Sequence, residues 1–158
     1  MPRVFYIILF FVLIVGNVSV YRTIFAPMVL TVNILDVGKG NAILVHTPSN
    51  KTILIDTGAD ASILRALGEN LPMWQRNIDV VILTSSAARS AGGLQSVQSR
   101  YRIAEIIKIG DKSTPYGSII NFDGSGIKIL APAILQISSG ASVFKISSST
   151  PVGVYIAN

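Results

Sequence analysis

An apolar run that feeds a loop of small residues and then a helix constrains this chain more than any other stretch of it. From Asp79 the sequence reads Asp-Val-Val-Ile-Leu-Thr-Ser-Ser-Ala-Ala-Arg-Ser-Ala-Gly-Gly-Leu, ending at Leu94. Val80 to Leu83 is short and β-branched, the pattern of a buried strand. Thr84 to Ala91 is expected to be a loop. After Gly92-Gly93, Leu94, Val97 and Tyr101 recur at helical spacing, so a helix should run to about Tyr101. A loop held between two rigid elements is a common seat of chemistry. This one has no His, Cys, Asp or Glu, and its only charge is Arg89.

Short strands are expected on both sides of it. Leu30–Leu35 alternates imperfectly, Asp36-Val-Gly-Lys-Gly-Asn is a glycine-rich turn, and Ala42–Val45 is the return strand. Thr47-Pro-Ser-Asn-Lys has the composition of a hairpin turn, and Thr52–Ile55 is a third strand ending at Asp56-Thr-Gly. Asp60 or Ser62 is placed to cap a helix to about Asn70, with Ile63, Leu64, Leu67 and Leu71 on its apolar face and Pro72 closing it. Trp74 is expected to pack under the loop that follows. Ile103–Ile109 reads as a strand, Ser118–Phe122 and Ile127–Leu130 as a hairpin, and Val143–Ile146 and Val152–Ile156 as two more strands.

Two features here have both a functional and a plain structural reading. Gly38-Lys39-Gly40 suggests a phosphate cradle, but a lone Gly-x-Gly is a weak signal, and glycines also permit the positive φ of a tight turn. Asp36 and Asp56 are candidates for a catalytic carboxylate pair, or for caps that accept backbone N–H bonds at strand ends.

Three of these pieces, in this order, resemble the metallo-β-lactamase fold hydrolases, and within them the hydrolase domain of ComEC, the DNA-uptake channel protein of competent bacteria. Leu35-Asp-Val-Gly-Lys-Gly-Asn-Ala is similar to Leu-Asp-Val-Gly-Gln-Gly-Asp-Ala, with Lys39 and Asn41 departing. Leu54-Ile-Asp-Thr-Gly matches Leu-Ile-Asp-x-Gly. The central stretch matches the metal-ligand loop Thr-His-x-Asp-x-Asp-His-x-Gly-Gly-Leu in Thr84, Gly92, Gly93 and Leu94 only. Ser85, Ala87, Arg89 and Ser90 stand where the resemblance implies ligands, and Asn158 stands where it implies a bridging Asp. The retained scaffold is Asp36, Gly38, Gly40, Asp56, Gly58, Thr84, Gly92 and Gly93, with Asp56 bracing the loop from beneath. The implied fold is α/β: part of an αββα sandwich, mostly one mixed sheet with about two helices. A second sheet has no expected counterpart, so a partner chain or self-association should shield the exposed half-sandwich.

His46 is the only histidine and there is no cysteine, whereas a two-metal hydrolase site of this kind needs several imidazoles and carboxylates. No cofactor is therefore expected. With 158 residues the chain holds one domain, and its mean hydropathy of +0.57 is high for a soluble protein. Much of the excess lies in Val4–Val20, 17 residues flanked by Arg3 and Arg22. As a helix these would span about 26 Å, just enough for a bilayer core. Residues 1–22 are expected to be a single-pass membrane anchor, with a cleaved signal peptide and a buried helix as the alternatives. Residues 23–29 would be a linker and 30–158 the domain. The N-terminal amine and Arg3 favour an extracytoplasmic domain.

The net charge of +5 is scattered, with Arg100, Arg102 and Lys108 the nearest thing to a cluster. Three functions follow. The first is a membrane-anchored, catalytically inactive domain that binds or assembles. The second is a competence accessory subunit that touches DNA phosphates through Arg89, Arg100 and Arg102, or contacts a separate permease. The third is an active hydrolase or nuclease completed by another chain, with Ser85, Ser86 or Ser90 as conceivable nucleophiles.

Overall fold

A computed structural model of the chain describes residues 6–16, 29–109, 115, 117–122, 125–131, 134–139, 142–147 and 153–157. Residues 6–16 form helix α1, with apolar side chains exposed along its length. Eleven residues rise only about 16 Å, and no helix among the described residues is long and apolar enough to cross a membrane. The rest of Val4–Val20 and most of the linker lie outside the described residues.

The first sheet contains β1 (Thr31–Ile34), β2 (Ile43–His46), β3 (Thr52–Ile55), β4 (Asn77–Leu83) and β5 (Arg102–Lys108), in that spatial order. β1, β2 and β3 pair antiparallel, whereas β3, β4 and β5 run parallel. Parallel neighbours need a crossover, and helices supply both. Helix α2 (Ser62–Asn70) links β3 to β4, while α3 (Ala88–Ala91) and α4 (Leu94–Arg100) link β4 to β5. Both long crossovers lie on one face: Ile63, Ala66 and Leu67 of α2 and Val97 of α4 bury against Leu44, Leu54, Val81 and Leu83. The start of α2 differs from the expected cap. Ala61 occupies the capping position without a side-chain bond, and the Asp60 carboxylate instead accepts the Ser62 N–H at 2.8 Å. The end of the loop also differs, because its last four residues close into the turn of α3.

The largest correction is a second sheet. β6 (Ile119–Phe122), β7 (Ser125–Ala131), β8 (Ile134–Ser139), β9 (Ser142–Ser147) and β10 (Gly153–Ala157) form an antiparallel meander in the order β10-β9-β8-β7-β6. Its inward residues Ile127, Ile129, Leu135, Ile137 and Ile146 form one buried cluster with Ile43, Val45, Ile53, Ile55, Val80, Ile82 and Ile107 of the first sheet. The face expected to need a partner is thus covered by the chain itself, and the chain is not mostly one mixed sheet. The physical reason is alternation. β7 and β8 both turn one apolar row inward, and the register pairs Ile127 with Ile137 and Ile129 with Leu135. Among the described residues no helix covers the outer face of this sheet, where Lys128 and Lys145 are exposed and Ile119 is 58% exposed. The layers are helix, sheet, sheet.

His46 closes β2 half-buried, its Nδ1 3.4 Å from the Thr52 hydroxyl. Burial pushes its pKa below the ordinary value. The unfolded chain therefore takes up a proton first as pH falls, so this contribution to stability is complete above the unfolded pKa near 6.5 and is lost below it. Melting temperature should fall between about pH 7.5 and about pH 5.5, the window in which histidine titrates. In His46→Gln the fall should shrink, and an identical pH dependence in the variant would refute the assignment.

Candidate functional site

Three loops meet at one end of the first sheet, beyond the C-terminal ends of β3 and β4. They are residues 35–42 between β1 and β2, 56–61 after β3, and 84–93 after β4. Asp56 is their keystone. It is fully buried and has φ +58°, a left-handed conformation unusual for a side chain larger than glycine. Its carboxylate accepts the Thr84 N–H at 2.8 Å and the Thr84 hydroxyl at 2.7 Å, so it holds the 84–93 loop from below. Thr57 adds a second tie, donating both its N–H (2.7 Å) and its hydroxyl (3.1 Å) to the Ser90 carbonyl.

Glycine is required where backbones touch. A Cβ on Gly40 would overlap the Arg89 carbonyl oxygen, and one on Gly92 would overlap that of Ala59. Gly38 and Gly40 also have φ of +66° and +94°. Three amides of this turn are already engaged. Gly38 donates to Asp36 Oδ1, Lys39 to the Val37 carbonyl, and Asn41 to the Arg89 carbonyl. Those bonds favour the turn reading over a phosphate cradle. Asp36 and Asp56 do not act as a pair either. Asp36 is exposed and faces Arg65, which lies 3.6 Å from its Oδ2, while Asp56 is sealed beneath Thr84. The third carboxylate here, Asp60, has its pKa lowered by hydrogen bonds from the Ser62 side chain and backbone.

Ser85, Ala87 and Arg89 are exposed on the rim of the loop and Ser90 is buried beneath it. Ser85 Oγ accepts the Ala87 N–H at 3.1 Å, a local turn bond. Beside the rim lies a cavity of about 150 Å³ lined by Ser85, Ser86, Leu94, Lys108 and Ile109. Lys108 stands here rather than in a cluster with Arg100 and Arg102: it ends β5, and the parallel pairing of β5 with β4 sets it opposite Leu83 at the mouth of the loop. A strand ending in a cation beside a loop was the available signal.

Arg100 and Arg102 are not near this loop, contrary to the expected phosphate cluster with Arg89. Helix α4 carries the chain back along the sheet, so both sit at the opposite end, where the Arg102 N–H donates to the Arg76 carbonyl at 2.8 Å. Trp74 does not pack under a loop: it is 85% exposed, beside Met73 at 84%. Asn158 lies outside the described residues.

A divalent cation does not fit this donor set. Hydroxyls, a methyl group, a guanidinium and an ammonium line the rim, and cationic side chains repel a metal ion. Among the described residues no group of three or more His, Cys, Asp or Glu is arranged to hold a metal.

Among solved structures, the chain is similar to a metallo-β-lactamase from Cronobacter sakazakii with a HARLDQ motif, at TM-score 0.56 and 16% identity, over 76% of this chain and 61% of that one. It is equally similar to a mutant form of that protein, at TM-score 0.56 and 14% identity, over 73% of this chain and 60% of that one. The chain thus spans about three-fifths of the length of these structures. No protein-family model and no curated protein matches it. The fold is metallo-β-lactamase-like.

Proposed function

We propose that this chain is a non-catalytic metallo-β-lactamase-like domain, held at a membrane by its N-terminal segment and acting by binding or assembly rather than hydrolysis. The observation that supports this is the chemistry of the 84–93 rim. The scaffold that presents the loop is intact in Asp56, Thr84, Gly40 and Gly92, while Ser85, Ala87, Arg89 and Ser90 offer no imidazole or carboxylate. Kinship to the ComEC-type hydrolase domain is the finer form of the reading. It rests on the motifs at Leu35–Ala42, Leu54–Gly58 and Thr84–Leu94, and it makes an accessory role in DNA uptake the second proposal. Completion of an active site by another chain is the third.

Metal content tests the non-catalytic reading. The full-length protein, purified in detergent without chelator, should contain far less than one equivalent of zinc or manganese. It should show no chelator-sensitive cleavage of phosphodiesters or β-lactams. Stoichiometric metal, or activity that a chelator abolishes, would overturn the proposal.

A further inference from the structure

The end of the first sheet remote from the 84–93 loop carries an unexplained combination of charge and exposed apolar surface. Arg76, Arg100 and Arg102 surround an open groove of about 410 Å³, together with Asn77, Gln98 and Tyr101. The Arg76 guanidinium lies 6.0 Å from the centre of the Tyr101 ring, which holds it over the groove. None of the three arginines forms an ion pair with a carboxylate among the described residues. The nearby carboxylates are engaged elsewhere: Asp79 accepts Lys51 Nζ at 3.2 Å and the Thr52 N–H at 2.8 Å, and Glu69 pairs with Arg65 at 3.0 Å. A second groove shares Arg76 and Asn77 and is walled by Trp74. Trp74 and its neighbour Met73 are almost fully exposed on the segment between α2 and β4.

Strand directions show where the N-terminal segment joins this surface. β1 pairs Thr31 with His46, and β2 pairs His46 with Thr52 at the start of β3. β4 and β5 run parallel to β3, and their first residues, Asn77 and Arg102, pair with each other. Leu30, the segment carrying Trp74, and all three arginines therefore lie at one end of the sheet. Five strands at about 4.8 Å spacing place β1 and β5 roughly 19 Å apart. The chain that follows the apolar α1 enters the domain at its basic, tryptophan-bearing end, and the 84–93 loop faces the other way.

We propose that Trp74, Met73, Arg76, Arg100 and Arg102 form a docking surface for an anionic lipid bilayer. Tryptophan prefers the headgroup level, and unpaired arginines near an anionic surface each add about 1 kcal/mol of attraction. A single-stranded nucleic acid would meet the same guanidiniums, but it gives no account of exposed Met73 or of an apolar helix preceding the same end. This inference rests on the membrane reading of the N-terminal segment and adds an orientation to it, with the 84–93 loop turned away from the bilayer.

Trp74 is the only tryptophan in the chain, so its fluorescence reports this surface alone. The full-length protein is mixed with vesicles of phosphatidylcholine, or of phosphatidylcholine with phosphatidylglycerol, at low and high salt. Flotation tests anchoring; Trp74 emission and its quenching by acrylamide test docking. The expected result is flotation with both vesicles, with a blue shift and protection of Trp74 only where phosphatidylglycerol is present and salt is low. The double variant R100Q/R102Q, altered at two exposed positions, should still float and keep its circular dichroism. Its docking equilibrium should weaken about thirtyfold, the effect of removing two such charges. Equal Trp74 environments in both vesicles overturn the docking surface. Failure to float on neutral vesicles overturns the anchor instead, while phosphatidylglycerol-dependent protection still supports the surface. Protection of Trp74 by a single-stranded oligonucleotide, with none from vesicles, overturns it in favour of nucleic acid.

Discussion

Replacing Asp56 with alanine should destabilise the folded chain by about 3 kcal/mol or more, a large part of the roughly 5–15 kcal/mol that holds a domain together. Three effects act in the same direction. The Thr84 N–H and hydroxyl, both donating to the carboxylate in the buried interior, lose their acceptor, and an unsatisfied buried donor costs about 1–3 kcal/mol. Alanine at φ +58° adds strain that Asp and Asn tolerate better. The 84–93 loop then loses its lower support, although the Thr57 bonds to the Ser90 carbonyl remain. Asp56→Asn is the informative control. It keeps an oxygen for the Thr84 N–H, and the Thr84 hydroxyl can rotate to accept from the new amide, so its cost should be clearly smaller. Thr84→Val removes only the hydroxyl and should also cost less than Asp56→Ala. Urea midpoints of the three variants rank these effects, and an unchanged midpoint for Asp56→Ala would show that the brace contributes nothing.

Asp56 also shows what the sequence could convey. Strand ends followed by Asp-Thr-Gly or by a loop of small residues mark tight connections, and the three loops that meet at the site were identifiable from such marks. The close approaches that demand glycine at Gly40 and Gly92 follow from the same turns. Three other features were not legible, each for a different reason. Ile134-Leu-Gln-Ile137 lies between Pro132-Ala133 and Ser138-Ser-Gly140 in the sequence. It is too short for its period to show, so local pattern does not reveal the strand that joins the second sheet together. Arg100 follows Gly93 by seven positions, which suggests proximity to the loop, yet a helix of that length carries a chain about 10 Å away along its axis. Lys108 is distant from Ser85 in sequence and reaches it only because β5 runs parallel to β4. Pairing between strands is a long-range property, and local pattern does not encode it.

The second sheet yields the other large effect. Leu135 and Ile137 are fully buried on β8, the middle strand of the meander, and pack into the cluster that contains Ile53, Ile55, Val80 and Ile82 of the first sheet. Leu135→Ala should cost about 2–5 kcal/mol, the usual range when a large aliphatic side chain is removed from a core. Ile137→Asp should be worse, because a carboxylate in that layer has neither solvent nor a cationic partner among the described neighbours. The comparison separates two architectures. If the first sheet were stable with its face covered by a partner chain, β8 could be damaged without changing how β1–β5 unfold. If the two sheets share one core, Ile137→Asp should abolish the cooperative transition of the whole domain. Hydrogen exchange of the Val80–Leu83 amides reads this directly, since β4 is paired on both sides, with β3 and with β5. Loss of their protection in Ile137→Asp is the expected result, and wild-type protection there would show that the first sheet stands without the second.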